Sequence, residues 1–282
     1  MEQQPQQQPA VRLGPTYVWE IPVRLTHWVN FVCIVVLCFT GYYIYNPYIQ
    51  VSAREAYGQM FMGNMRSLHM LFAFIFVASL IVRTYWAFFG GNQWASWKAL
   101  VPFFTPEGRG MFKDALQYYF FLRREPPTTM GHNALAGLTY GIIVMLYFIQ
   151  VFTGFALFGM GNPGGFWWTA TSWIFTIIDV QHLRMVHHFI MWWLIAFAIH
   201  HVYSAFLVDA EEANGLMTSI FSGWKFTCPG YGRGKGIPPR IVALQVRNSR
   251  SGGKGGTQGT ELVCQVPSGA GEAPATKAKE GT

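Results

Sequence analysis

Residues 186–208 read VHHFIMWWLIAFAIHHVYSAFLV, and the fold class follows from this stretch. It contains no Asp, Glu, Lys or Arg. An α-helix of about 20 mostly apolar residues is long enough to cross a hydrocarbon core of about 30 Å. Three further segments have the same character: Trp28–Tyr45, Leu68–Phe89 and Leu135–Phe158. The sequence therefore predicts an all-α fold, a four-helix transmembrane bundle.

The composition of the whole chain agrees with this prediction. Of the 282 residues, 51% are hydrophobic and only 12% are charged, whereas soluble domains carry about 25% charged residues. The charges are absent from long internal runs such as residues 131–178. A soluble globular protein and a disordered chain are therefore both excluded for the region before about residue 220.

The distribution of positive charge predicts the orientation in the membrane. Seventeen of the 20 lysines and arginines lie on the side of the two termini, and only Arg54, Arg66 and Arg184 lie on the other side. Lys and Arg accumulate in cytoplasmic loops, so we expect both termini in the cytoplasm and the chain in the cell's inner membrane, in contact with its lipids. The net charge of +7 then reflects topology, and a nucleic-acid partner is not expected.

The composition also predicts three regions along the chain. We expect a disordered N-terminal tail at residues 1–16, a transmembrane domain at 17–226 and a flexible cytoplasmic tail at 227–282. The segment 223–282 contains 13 Gly and 5 Pro, which is typical of low-complexity disorder. Residues 209–224 are compatible with an amphipathic helix at the inner interface.

The four cysteines exclude several cofactors. The chain has no C-x-x-C motif, so iron–sulfur ligation and a structural zinc site are not predicted. It has no C-x-x-C-H motif either, which excludes the usual covalent attachment of c-type haem.

The eight histidines are the main candidates for function, because ionisable residues in membrane spans are costly. The interval from His187 to His201 places the two side chains about 40° apart around a helix and about 21 Å apart along it. One imidazole would then lie near each membrane face, as two stacked haems require.

Each of these histidines has a partner at the same depth. His69, at the start of the second span, is level with His187 on the outer side. His27, at the start of the first span, is level with His201 on the inner side. We therefore predict two haems, with His27, His69, His187 and His201 as ligands of the iron. Individual anchoring of these histidines to lipid headgroups is the alternative.

The corresponding positions on the first and second spans fit the same plan. Gly41 follows His27 by the interval that separates His201 from His187, and it would let a macrocycle approach the backbone at the outer level. Arg83 follows His69 by the same interval and would pair with a haem propionate at the inner level. The alternatives are small-residue helix packing for Gly41 and a cytoplasmic anchoring charge for Arg83.

Three ligands are preceded, at the third position before them, by an arginine: Arg24, Arg66 and Arg184. On a helix this spacing places both side chains on one face, with the cation nearer water and close to the exposed edge of a haem. Snorkelling of these arginines at the ends of the helices is the alternative. For Arg66 and Arg184, docking of an acidic partner is a third possibility.

Several local motifs together resemble the b-type cytochrome subunit of membrane-bound nickel–iron hydrogenases. The resemblance covers residues 17–226. Its signatures are YVWEIPVRLTHW at 17–28, MRSLH at 65–69, RTYWAFFGGN at 83–92, GHN at 131–133, HHFIMW at 187–192 and HVY at 201–203.

The resemblance implies an electron-transfer subunit that binds two haem b and has no catalytic residue of its own. In that family a periplasmic hydrogenase oxidises H₂, and the iron–sulfur small subunit, which is bound to the large subunit, passes electrons to the outer haem. The cytochrome passes them to quinone. The resemblance implies the same four histidine ligands. The cytochrome b subunit of a formate dehydrogenase or of another iron–sulfur oxidoreductase remains an alternative. A haem-free membrane anchor or assembly protein is an alternative of a different class.

A quinone requires a polar group near a haem in an apolar cleft. His132 and Asn133 offer one on the inner side, where His132 would donate to or protonate a quinone carbonyl; an ordinary polar residue at the start of a helix is the alternative. His182 is a candidate for the partner interface or an ordinary loop histidine. No role is predicted for His188 and His200.

Overall fold

The computed structural model of the chain describes residues 11–12, 14–48, 60–101, 106–122, 134–212, 214–227, 240–247 and 258–265. The helices are α1 (Ile21–Tyr45), α2 (Phe61–Tyr85), α3 (Trp97–Leu100), α4 (Pro106–Tyr119), α5 (Ala134–Gly159), α6 (Phe166–Thr171), α7 (Val180–Glu212) and α8 (Leu216–Ser222). The strands are β1 (Val11–Arg12), β2 (Gly14–Tyr17), β3 (Trp224–Thr227), β4 (Arg240–Arg247) and β5 (Gln258–Gln265).

Four of the helices are long and apolar enough to cross a membrane: α1, α2 with the π-helical turn Trp86–Gly90, α5 and α7. They correspond to the four predicted spans, so the all-α transmembrane prediction is confirmed. Large apolar side chains such as Phe39 and Ile199 are 72% and 68% exposed. In a bilayer such side chains contact lipid, so the apolar surface of the bundle fits an integral membrane protein.

The helices extend beyond the predicted spans. Helix α1 begins at Ile21, α2 at Phe61 and α7 at Val180. Hydropathy marks only the apolar middle of a span, whereas backbone hydrogen bonds continue the helix into the polar interface. His27, His69 and His187 consequently lie about two turns inside their helices, and His201 lies about three turns before the end of α7.

The bundle consists of two helix pairs. Helix α1 packs mainly on α2, and α5 packs on α7, with a smaller contact between α1 and α7. Cys33, Phe76 and Leu80 form a buried cluster in the first pair. Ile143, Ile190 and Leu194 form another in the second pair. Tyr147 packs against both clusters and so links the two halves.

The described segments that flank the bundle, β2 and β3, meet at one of its ends, called here the terminal end; the opposite end is the distal end. Strand β2 pairs antiparallel with β3. The Val18 and Trp19 amides donate to the carbonyl of Gly223 at 2.8 and 3.1 Å. Gly223 has φ +90°, a conformation that favours glycine. The segment before α1 and the segment after α8 are therefore joined by hydrogen bonds at the terminal end.

Glu20 joins this terminal end to the segment after α2. Its carboxylate accepts hydrogen bonds from Trp86 Nε1 at 2.6 Å and from the Asn92 amide at 3.2 Å. The Asn92 side chain donates to the carbonyl of Val18 at 2.8 Å. The RTYWAFFGGN motif thus has a structural role at the terminal end.

Regular structure occurs in segments that the composition predicted to lack it. Within residues 1–16 lie β1 and most of β2, and within 227–282 lie β4 and β5. Strands β1, β5 and β4 form an antiparallel sheet in that order. The division of the chain into three regions stays a prediction, with these strands lying inside the two terminal regions. The Gly and Pro content was averaged over the whole tail, and this average conceals two short runs of strand-forming residues. The pairing of β5 with β1 connects parts of the chain that are distant in sequence, which local composition cannot predict.

Residues 209–224 do not form one helix. Helix α7 continues to Glu212, and the separate helix α8 begins after Gly215. Gly215 has φ +76°, a left-handed conformation that breaks helical continuity.

Candidate haem-binding site

At the terminal end, α1 and α7 place two imidazoles next to each other, with their planes tilted. The ring centroids of His27 and His201 are 6.3 Å apart, with the planes inclined at 57°. Two imidazoles that share one metal ion through bonds of about 2 Å have centroids about 6 Å apart. The spacing of this pair therefore fits two imidazoles that would hold a single haem iron.

The two rings of the terminal pair have different surroundings. His201 Nδ1 lies 3.2 Å from the Tyr140 hydroxyl on α5, and the ring stacks on Phe197 at 5.5 Å. His27 Nδ1 is buried and has no hydrogen-bond partner among the described residues. Trp28 packs edge-on against the His27 ring at 5.2 Å.

At the distal end, α2 carries His69 and α7 carries His187, and a Cβ atom on Gly41 would meet both the His69 ring and Met191 Sδ of α7, at 3.2 and 3.9 Å. His69 Nδ1 lies 2.8 Å from Thr40 Oγ1 on α1. His187 Nδ1 lies 2.9 Å from Thr153 Oγ1 on α5. The rings of the predicted terminal partners therefore lie close together, and each distal imidazole contacts a threonine of a neighbouring helix.

The glycine after each threonine gives the imidazole its space. A Cβ atom on Gly41 would lie 3.2 Å from His69 Cε1, and one on Gly154 would lie 3.1 Å from His187 Cε1. Gly41 was expected to admit a macrocycle, but the group that lies against it is the His69 ring. A one-helix spacing rule could not show this contact, because the ring belongs to another helix.

Sequence reasoning missed Tyr140, Gly154 and the two threonines. One signal was available for three of them, because the tripeptide Phe-Thr-Gly occurs at 39–41 and again at 152–154. Nothing in the local sequence singles out Tyr140.

Arg24 and Arg83 are partly engaged at the terminal end. Arg24 Nη1 donates to the Phe221 carbonyl, and Arg83 Nη2 donates to the Ala95 carbonyl at 3.1 Å. Arg24 Nε and Arg83 Nη1 are buried without a hydrogen-bond partner in the described part of the chain. These orphaned donors fit an anionic group such as a propionate.

Arg66 and Arg184 are exposed near the distal end. Neither guanidinium makes a hydrogen bond or ion pair with a residue that the structure describes. The exposure of these two arginines is compatible both with pairing to a haem propionate and with docking of an acidic partner, so both stay predictions.

Three further histidines have local partners. His182 pairs with Asp179, and both side chains are exposed. The His188 ring stacks on Tyr45 with centroids 4.0 Å apart and accepts a hydrogen bond from Trp192 Nε1 at 3.1 Å.

His200 lies beside Ser204 on the exposed side of α7. His132 and Asn133, the predicted quinone residues, lie outside the described residues.

The donor set suits haem better than a bare metal ion. Within the described residues no group of three or more His, Cys, Asp or Glu side chains could hold a metal, and protein metal sites normally use at least three such ligands. Paired imidazoles are sufficient for haem iron, because the macrocycle supplies the remaining ligands. An apolar cavity of about 310 Å³ beside the distal pair is lined by Cys38, Phe39, Tyr42, Tyr48, Met191, Trp192 and Ile195.

Comparison with known proteins identifies the family of the chain. The prokaryotic cytochrome b561 family matches residues 18–223. A probable Ni/Fe-hydrogenase B-type cytochrome subunit of Rhodobacter capsulatus is 34% identical over 75% of this chain and 82% of its own length. Its counterpart in Cupriavidus necator is 35% identical over 74% and 86%.

The probable Ni/Fe-hydrogenase 1 B-type cytochrome subunit of Escherichia coli K12 is 30% identical over 74% of this chain and 90% of its own. The matched region contains all four long helices and both histidine pairs. The family implies a b-type haem and electron transfer rather than catalysis by the chain alone. The chain belongs to the prokaryotic cytochrome b561 family, among the b-type cytochrome subunits of Ni/Fe hydrogenases.

Proposed function

We propose that this chain anchors a periplasmic nickel–iron hydrogenase in the inner membrane and carries its electrons to quinone through two haem b groups. His69 and His187 would hold the outer haem, and His27 and His201 the inner one. The electrons would enter from the iron–sulfur small subunit, to which the large subunit is bound. The names of the relatives support the choice of partner.

One observation carries the proposal: two imidazole pairs lie at opposite ends of a membrane-spanning bundle. His187 and His201 belong to different pairs but to the same helix, α7. Their separation in the sequence corresponds to about 21 Å along the helix. The bundle therefore has one site near each membrane face, as transfer across a bilayer requires.

The residues suit electron transfer and not substrate chemistry. Haem iron with two imidazole ligands supplies one-electron transfer without an open coordination position. The histidines hold their rings through Thr40, Thr153 and Tyr140, and the surrounding apolar helices exclude water. Arg24, Arg66, Arg83 and Arg184 would neutralise the propionates at the two ends.

The side on which the hydrogenase docks follows from the proposed orientation. Cations concentrate on the side of the termini, so the terminal end would face the cytoplasm and the distal end the periplasm. The hydrogenase would then dock at the distal end, next to His69 and His187. Lipid surrounds the apolar flanks of the bundle.

Haem counting on matched histidine variants tests the proposal. The purified chain, expressed with adequate haem, should contain two b-type haems in a pyridine haemochrome assay. His187→Ala and His201→Ala should each lose one haem. Their neighbours give matched controls, because His188→Ala and His200→Ala remove imidazoles that face other partners and should retain two haems.

Several results would overturn the proposal. A chain without any Soret band would identify a haem-free anchor, and two intact haems in His187→Ala would disprove that ligand assignment. Co-purification of a formate dehydrogenase in place of a hydrogenase, identified by mass spectrometry, would replace the proposed partner.

The quinone site has its own test. We propose that His132 and Asn133 provide the polar handle for the quinone carbonyl on the inner side. His132→Gln should abolish hydrogen-driven reduction of a short-chain quinone analogue while both haems are retained and remain reducible by dithionite. Unchanged quinone reduction with both haems present would exclude His132 from the site.

A further inference from the structure

The tripeptide Phe-Thr-Gly occurs at 39–41 in α1 and at 152–154 in α5, and each copy faces one distal histidine. We infer that Thr40-Gly41 and Thr153-Gly154 are matched positioning elements that hold His69 and His187 in the tautomer that binds iron and lower the reduction potential of the distal haem. This inference rests on the proposed function.

The hydrogen bonds of each threonine determine the proton on the histidine. Thr40 Oγ1 lies 2.8 Å from the Val36 carbonyl, and Thr153 Oγ1 lies 2.8 Å from the Ile149 carbonyl. A carbonyl oxygen only accepts, so the hydroxyl proton is directed to it. The same hydroxyl must then accept the hydrogen bond from histidine Nδ1–H. Both rings therefore carry their proton on Nδ1 and leave the lone pair of Nε2 free for a metal.

The glycines determine where each ring lies. A Cβ at Gly41 or Gly154 would approach the facing histidine Cε1 to 3.2 or 3.1 Å, which is closer than an ordinary contact. The bare backbone lets the imidazole lie against the helix while its Nδ1 reaches the adjacent threonine. Phe39 and Phe152, the first residues of the two tripeptides, are exposed on the outside of the bundle, so the two copies have the same orientation.

The terminal pair lacks this arrangement. His201 Nδ1 faces the phenol of Tyr140 at 3.2 Å, and His27 Nδ1 has no partner among the described residues. A ligand that donates its second N–H to an acceptor becomes more basic, and a more basic ligand stabilises oxidised iron. The distal haem has two such ligands, so the threonines should lower its potential selectively.

Redox titration of the holoprotein tests the inference. Thr40→Val and Thr153→Val preserve the shape of the side chain and remove the hydroxyl. Each should retain two haems and shift the distal midpoint potential to a more positive value, while the terminal potential remains unchanged. Thr40→Ser and Thr153→Ser should restore the original potential. The distal component is assigned from the spectrum of His187→Ala.

Thr139→Val is the matched control. Thr139 lies on α5, closer to the start of the helix than Thr153, and its hydroxyl donates to the Leu135 carbonyl at 3.0 Å. Its hydroxyl donates to a carbonyl of its own helix, as those of Thr40 and Thr153 do, but it does not contact His69 or His187. The midpoint potential of the distal haem should therefore not change.

The outcomes separate this inference from the proposed function. Two retained haems with unchanged potentials in both valine variants would overturn the inference and leave the function intact. Equal shifts of both haems, or a serine variant that behaves like valine, would also overturn it. Loss of the distal haem in valine and its retention in serine would support the positioning role. Absence of haem from the unaltered chain would defeat the proposed function itself.

Discussion

Gly154 shows how a single atom determines whether a ligand can take its position. An added Cβ would lie 3.1 Å from His187 Cε1. Overpacking of this kind usually costs about 1–3 kcal/mol, whereas alanine is favoured over glycine in a helix by about 1 kcal/mol. The substitution should therefore disturb the imidazole more than the helix.

We accordingly expect Gly154→Ala to weaken binding of the distal haem while the helical content remains unchanged. Haem per chain and far-ultraviolet circular dichroism measure the two effects. Gly63→Ala is the control, because among the described residues its Cβ would meet only Met60, at an ordinary 3.6 Å. Full retention of the distal haem in Gly154→Ala would contradict the close contact.

Among the helices, α7 depends on a charged cap at its start. Asp179 Oδ1 accepts hydrogen bonds from the amides of Gln181 at 3.0 Å and His182 at 3.1 Å. Hydrogen bonds from the His182 backbone and side chain hold the pKa of the Asp179 carboxyl below its usual value. A carboxylate at a helix N-terminus also interacts favourably with the helix dipole.

The lowered pKa determines the pH dependence of this cap. The stabilisation should be complete above the ordinary pKa of aspartate, about 3.9, and should be lost as the pH falls through the lowered pKa. Hydrogen exchange of the Gln181 and His182 amides measures this stabilisation of the start of α7. Asp179→Ala should reduce the protection at neutral pH, and the variant and the original should converge in acid.

Asp179→Asn separates the charge from the cap. Asparagine caps helices about as well as aspartate but does not titrate, so its protection should not depend on pH in this range. A pH dependence in the asparagine variant equal to that of the original would rule out Asp179 as the titrating group.

For the molecule as a whole, the charge asymmetry predicts the topology. A fluorescent protein fused after Thr282 should fold and fluoresce, and alkaline phosphatase at the same site should remain inactive. Phosphatase inserted in the predicted periplasmic loop at residues 49–59 should be active. The opposite pattern would invert the bundle, and the hydrogenase would then have to dock at the other end.

Sequence reasoning alone was sufficient for the four apolar spans, and the pairing of the histidines as haem ligands stays a prediction. These features depend on short-range regularities, because a bilayer fixes the length of an apolar run and helical geometry fixes which residues share a face. The pairing of His27 with His201 at 6.3 Å agrees with that reasoning.

The contacts of each imidazole, in comparison, depend on the tertiary structure. Thr40 is 29 residues from His69, and Thr153 is 34 residues from His187, so their hydrogen bonds depend on how neighbouring helices pack. The same holds for Gly41, which lies against a ring of another helix, and for β1, which pairs with the distant β5. Periodicity within one element carries no information about the register between two, because packing and inter-strand hydrogen bonds set that register.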